Sequence, residues 1–332
     1  MNATATLPAL LQRFFTERLM TQRQVSPHTL ASYRDAFRLL LRFAQRERHQ
    51  RPSDLALADL DAAFIGRFLS TLEGTRHCTV RTRNARLTAI RSFFHFASFQ
   101  EPASAADIQR VLAIPYKRQN RPIVSFLTHD EIDALLAAPD RRTWCGRRDH
   151  ALLVLAVQSG LRLSELTSLE HDSITLGAGA HVRCVGKGRK ERCTPLTSLT
   201  VQVLKAWLKE PPLAGSSVLF PNPRGGRLSA DAVQYLVRKS VRTATARCPT
   251  LASKRISPHV LRHSAAMELL AAGVDGSVIA LWLGHESVNT TQIYLHAHLA
   301  LKEAALAKTT PPHVTPGRFR PDDRLMQFLN AL

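Results

Sequence analysis

Acidic residues are scarce in this chain of 332 residues: 26 Asp and Glu stand against 45 Lys and Arg, for a formal net charge of +19. A solvated basic surface is the plainer reading of charge alone, and nucleic acid is the partner that such an excess favours. Lysine is scarce too, with 9 Lys beside 36 Arg, and arginine is the side chain that pairs bidentately with phosphate oxygens. No apolar run approaches the roughly 20 residues of a membrane span. Nothing at the N-terminus follows the basic, apolar, small-residue order of a secretory signal. These absences predict a soluble cytoplasmic protein with no membrane partner. Cys78, Cys145, Cys184, Cys193 and Cys248 form no CxxC pair, which argues against a structural metal and against a disulfide framework. G-x-x-x-x-G-K-[ST] is missing, and GAGA at 177 to 180 is not G-x-G-x-x-G, so ATP and dinucleotides are not expected. Only four tyrosines occur: Tyr33, Tyr116, Tyr235 and Tyr294.

What is present is mostly helical periodicity. Leu7, Leu10, Leu11, Phe14, Phe15 and Leu19 share a helical stripe, and a firmer helix opens at Ser26-Pro27 with Leu30, Tyr33, Phe37, Leu40, Leu41 and Ala44 on one side. A third helix is expected from about Asp59 through Ile65, Phe68 and Leu72. A fourth, capped by Thr79, carries Leu87, Ile90, Phe94 and Ala97 on its apolar side. Arg81, Asn84, Thr88, Arg91 and His95 fall on the opposite face. With no acid between Arg76 and Gln100, that polar face is as well suited to a DNA groove as to solvent. From Glu101 to Val124 the periodicity weakens, and three prolines with the basic run YKRQNR suggest a linker.

Beyond the linker, Thr128 and Glu131 form a capping box, and residues 147 to 158 are apolar enough for a helix buried nearly all round, ended by Gly160. Arg162 then enters a new helical turn, with Glu165 one turn on and able to hold its guanidinium. HVRCVGKGRKERCTPL reads as two strands joined at Gly186 to Arg189, with Lys187 at the tip. Arg189, Lys190 and Arg192 are rival basic groups there. The remainder reads as helical to about residue 308, apart from Pro-rich turns. Ser257-Pro258 predicts an N-cap followed by proline at the first helical position, which places His259 and Arg262 on one face. A second helix closes at Gly284, so His285 follows its end, and Tyr294 lies on the next short helix. Two basic groups, a helix-end histidine and a tyrosine suit an anionic, tetrahedral substrate such as phosphate. His259 and His263 have the spacing of a metal pair, but Arg262 beside them would repel a cation and no H-E-x-x-H is present. No metal and no cofactor is expected.

These stretches resemble the tyrosine recombinases of the phage integrase family. The resemblance runs through SPHTLASY (S-P-x-T-x-x-x-Y), SGLRLSEL (T-G-L-R-x-S-E-L), GKGRKER (G-K-G-x-K-x-R), HVLRH (H-x-L-R-H), LGH and the tyrosine of TTQIYLH. It spans about residues 7 to 308 and fills six active-site positions in order: Arg162, Lys187, His259, Arg262, His285 and Tyr294. It departs at Ser159, at Cys193-Thr194 and in the basic segment ARCPTLASKR, none of them a catalytic position. The resemblance implies a mainly α fold, with an N-terminal helical core-binding domain (1–118) and an α+β catalytic domain carrying a small antiparallel sheet (119–310), the two clamping DNA. A C-terminal tail (311–332) completes the chain.

The resemblance further implies a site-specific recombinase that cleaves and rejoins double-stranded DNA through a 3′-phosphotyrosyl intermediate. Arg162 and Arg262 would clamp the phosphate, aided by His285. Tyr294 would attack, His259 would help to deprotonate it, and Lys187 would protonate the leaving 5′-oxygen. The partner would be DNA bearing specific sites, bound by a tetramer on two duplexes, formed with itself or with a related recombinase, in association with the bacterial nucleoid. Integration or transposition of a mobile element is the expected role. Xer-type replicon resolution, a type IB topoisomerase and a non-catalytic DNA-binding relative are the alternatives. Leu325, Phe328, Leu329 and Leu332 make a stripe too short to stand alone, which resembles the C-terminal helix that family members exchange between subunits.

Overall fold

The computed structural model describes residues 6–119, 124–186, 190–211 and 215–284. Lys187, His285, Tyr294 and the tail at 311–332 lie outside the described residues. The chain divides into two compact units, residues 1–121 and 122–332. As the pattern predicts, both are built mainly of helices, and the second carries one small antiparallel sheet.

The first unit comprises α1 (Leu7–Arg13), α2 (Pro27–Arg48), α3 (Ala62–Gly74), α4 (Val80–Gln100) and α5 (Ala105–Leu112). Local chemistry starts three of them: Ser26, Asp61 and Thr79 each accept a hydrogen bond from the backbone N–H three residues on, at 3.2, 2.7 and 3.2 Å. Asp61 therefore moves the start of α3 later than the expected Asp59, which instead sits in a 3-10 turn. α1 continues as a π-helix over Phe14–Gln22. Its wider turn aligns residues five apart, so Phe14 and Leu19 are both fully buried. Phe14, Phe37 and Phe93 meet edge to face at the centre, with Phe14 and Phe93 centroids 5.5 Å apart.

The segment expected to be linker is partly core. α5 buries Ile108 and Val111 against this cluster, because two apolar residues three apart suffice when a preformed surface receives them. Residues 114 to 119 then run along the polar face of α4. Arg83 donates to the Pro115 carbonyl (3.1 Å) and Arg91 to that of Ile114 (3.4 Å). Asn84 donates to the Lys117 carbonyl (2.8 Å) and accepts from its N–H (3.2 Å). The Arg91 guanidinium lies 5.0 Å over the Tyr116 ring, and Lys117 pairs with Glu73 at 2.8 Å.

In the second unit α6 (His129–Leu136) opens with the expected capping box. The buried helix α7 (Trp144–Ser159) is packed by α9 (Ser198–Leu208) and α11 (Pro258–Ala271). α8 (Leu163–Thr167) follows α7 directly, and α10 (Ala230–Ala244) packs on α6. Strands β1 (Ile174–Thr175), β2 (His181–Val185) and β3 (Glu191–Pro195) pair in sequence order. In register, Arg183 faces Cys193 and Cys184 faces Arg192. Alternation turns Arg192 and Thr194 inward and leaves Cys193 exposed. α12 (Gly276–Leu283) packs on the far part of α11 through Ile279 and Leu283. Among the described residues no helix is long and apolar enough to cross a membrane.

Asn84→Ala removes both bonds to Lys117 and leaves that backbone unpaired against the helix, a local cost of about 1–3 kcal/mol. The expected result is faster tryptic cleavage after Lys117 or Arg118 with little change in the thermal melting of the first unit. Unchanged cleavage kinetics would show that other contacts hold the segment.

Candidate active site

Arg162 is placed by the end of α7. Gly160 caps that helix with φ of +63°, in the left-handed region that glycine enters without strain. A Cβ at Gly160 would lie 2.6 Å from Leu283 Cδ2, so the tight turn also needs glycine to admit α12. Two residues later Arg162 is the N-cap of α8. Its backbone N–H donates to Glu165 Oε2 at 2.7 Å and its Nη1 to Glu165 Oε1 at 2.9 Å. Glu165 is 3% exposed. It receives a second guanidinium from β3: Arg192 Nη1 and Nη2 donate at 3.0 and 2.7 Å, a bidentate pair. Burial by itself would raise the Glu165 pKa, but the bonds from Arg192 and Arg162 outweigh it and hold the carboxyl at about 2.

Arg262 comes from the second turn of α11 and is 4% exposed. Its Nη1 donates to the Gly160 carbonyl at 2.8 Å and its Nη2 to that of Leu283 at 2.6 Å. Arg162 Nη2 donates to the next carbonyl, Gly284, at 2.7 Å. The two arginines, 100 residues apart in sequence, thus meet at one helix end. Ser257 takes the N-cap position of α11, but its side chain makes no capping bond.

His259 is exposed on the first turn of α11. Its ring stacks on His263 with centroids 6.3 Å apart. Burial first, then the charges of His259 and Arg262, pull the His263 pKa down to about 4, so it is neutral near pH 7. Among the described residues no group of three His, Cys, Asp or Glu side chains is placed to hold a metal. The described chain stops one residue short of both Lys187 and His285. Both of those neighbours flank the cluster: a Cβ at Gly186 would lie 3.3 Å from Glu165 Oε1, and one at Gly284 would lie 2.9 Å from Arg192 Nη1.

The five residues of the α4 face are not equivalent. Arg81, Thr88 and His95 are exposed, Arg91 is half-buried, and Asn84, 8% exposed, is committed to the Lys117 backbone. Arg81 and Thr88 instead line an open groove with Tyr116, Lys117, Arg118 and Gln119, which adds linker residues to the surface read from α4 alone. In the sequence Arg192 stands as a rival to Lys187 and as the last residue of GKGRKER, with nothing to link it to Glu165. The signal that could have separated them is strand alternation, which points Arg192 to the same side as the buried Thr194.

The Glu165 carboxyl stabilises the fold above its ordinary pKa of 4.5, and this contribution is lost as pH falls from 4.5 towards about 2. Its upper bound is on the order of 3 kcal/mol. Glu165→Gln should therefore unfold more easily than the unaltered protein at pH 7 by denaturant titration, with the gap closing as pH falls towards 2. A gap constant with pH would remove the ionised carboxylate from the account.

The sequence matches the phage integrase family over residues 125–300 and the N-terminal SAM-like domain of phage integrases over residues 12–101. It is 58% identical to the putative integrase/recombinase y4rC of Sinorhizobium fredii over 332 residues, 100% of both chains. It is 35% identical to the tyrosine recombinase XerC of Pelobacter propionicus over 306 residues, 92% of this chain and 96% of that one. In fold it is similar to the XerH site-specific recombinase bound to palindromic difH substrate, with a TM-score of 0.68 and 22% identity, covering 86% of this chain and 81% of that one. It is also similar to the Tn1549 transposon integrase in complex with circular intermediate DNA, with a TM-score of 0.66 and 16% identity, covering 90% and 98%. Two arginines gathered at one helix end within a matched two-domain chain lead to one conclusion: the protein belongs to the phage integrase family and is a site-specific DNA recombinase of the tyrosine type.

Proposed function

We propose that Tyr294 is the nucleophile that attaches this protein to DNA, and that Arg162 and Arg262 are the clamp on the attacked phosphate. The observation that carries the reading is the convergence of these two guanidinium groups on the α12 terminus, one residue before His285. Each arginine presents five donors in a planar fork. The bonds that hold Arg162 to Glu165 and Gly284 use two of them and pre-orient the rest, which is the preorganisation that charge stabilisation in a transition state requires. The Tyr294 oxygen attacks phosphorus as the bond to the 5′-oxygen breaks, leaving a 3′-phosphotyrosyl link and a 5′-hydroxyl. His259 accepts the phenol proton, and Lys187 donates one to the leaving oxygen. Neutral His263 adds no second positive charge beside His259. A 5′-hydroxyl from another strand reverses the step, and recombination results when that strand belongs to a different duplex. Arg81, Thr88 and His95, with the neighbouring linker residues, contact the DNA backbone.

A tetramer on two duplexes, formed with itself or with a related recombinase, follows from this chemistry, because each exchanged strand needs its own nucleophile. Integration or transposition of a mobile element is favoured over replicon resolution, since the full-length similarity to the putative integrase/recombinase of S. fredii exceeds that to the XerC proteins. Supplied with a nicked suicide substrate built from the sequence flanking its gene, the protein should form a covalent adduct that survives a denaturing gel. Tyr294→Phe should bind the same DNA without forming it, and an adduct persisting in that variant would remove Tyr294 from the role.

A further inference from the structure

The end of α12 is held by three arginines from three different elements, each on its own carbonyl. Arg192 Nε from β3 donates to Trp282 at 3.2 Å, Arg262 Nη2 from α11 to Leu283 at 2.6 Å, and Arg162 Nη2 from the start of α8 to Gly284 at 2.7 Å. The last carbonyls of a helix lack intrahelical partners and lie at the negative end of its dipole, so cations are favoured there. Two of the three arginines are the proposed phosphate clamp. Arg192 has no part in that clamp, yet it is 12% exposed and fully engaged. It gives a bidentate pair to Glu165 and its remaining edge to the helix end. Glu165 in turn sets the orientation of Arg162 through one side-chain and one backbone bond. Close approach is built in, because Gly284 at φ of +65° carries no Cβ where Arg192 passes. Arg192 therefore ties the α8 start, where Arg162 sits, to the α12 end.

We propose that Arg192 is a positioning residue for DNA strand cleavage: by bridging Glu165 and the Trp282 carbonyl it fixes the α12 terminus in register with the Arg162 guanidinium. This rests on the clamp reading given above. Lysine cannot reproduce the bridge, since one ammonium replaces a planar fork that faces a carboxylate on one side and a carbonyl on the other. Arg192→Lys keeps a positive charge beside Glu165 and loses the register.

The test is single-turnover formation of the covalent DNA adduct by the full-length protein at saturating suicide substrate, with DNA affinity and thermal melting measured in parallel. A purely structural role would lower the amplitude of adduct formation, as the folded fraction falls, and leave the rate constant of the folded molecules unchanged. Positioning predicts a rate constant lower by roughly 10- to 100-fold in Arg192→Lys, with DNA affinity within a few-fold of the unaltered protein. It also predicts that Arg192→Gln combined with Glu165→Gln is no slower than the slower single variant, because both act through one bridge. A rate constant in Arg192→Lys within twofold of the unaltered protein, or multiplicative losses in the double variant, would overturn the assignment and leave the clamp reading intact. Failure of the unaltered protein to form any adduct would instead overturn both.

Discussion

One buried carboxylate organises the catalytic unit. Glu165 carries its charge where water cannot solvate it, and it does so because two guanidinium groups and a backbone N–H surround it. Removing one partner from such a group is costly, since the charge left behind stays buried. The same constraint places Arg162, draws β3 against α8, and brings both to the end of α12. Two glycines make the approach possible: Gly160 lets α12 lie against the end of α7, and Gly284 lets Arg192 pass beside the chain.

This arrangement concentrates positive charge at the end of α12. Arg162 and Arg192 share the Glu165 carboxylate, and each of the three arginines also donates to a backbone carbonyl, which orients a guanidinium without cancelling its charge. A site of that kind suits an anion that arrives with the substrate, as a DNA phosphate does. Under the proposed clamp, the dipoles already aligned here would need little reorganisation as charge develops on the phosphoryl oxygens.

The first unit makes the complementary point about polar helix faces. Asn84 and Arg91 of α4 are occupied by backbone groups of residues 114 to 119 and the exposed Thr88 hydroxyl meets Tyr116 Oη, while Arg81 remains exposed beside them. A polar stripe says only that a side of a helix escapes the core. Whether it meets solvent, a ligand or another piece of the same chain depends on what folds back over it. Here the piece that folds back is itself basic, so the open groove gains Lys117 and Arg118.

Helix starts were legible because capping is local: Ser26, Thr79 and the Thr128–Glu131 box act on N–H groups three residues away, and Gly160 and Gly284 end helices for reasons internal to one turn. The apolar sides of α2 and α4 were legible through periodicity, and motifs that keep their spacing within one element singled out Arg162, His259 and Arg262 as candidates. α5 was not, since its two buried residues stabilise a helix only against a core made elsewhere. The π-helical turn over Phe14–Gln22 escaped for a similar reason: the apolar stripe fits a helix there, and the wider turn that buries both Phe14 and Leu19 exists only in the packed unit. The sequence by itself thus determined most of the helices, the fold class and which arginines to consider. Only tertiary structure decided that Arg192 belongs with Glu165 and that Asn84 belongs with Lys117, because those bonds join groups 27 and 33 residues apart and exist only once the chain between them has packed.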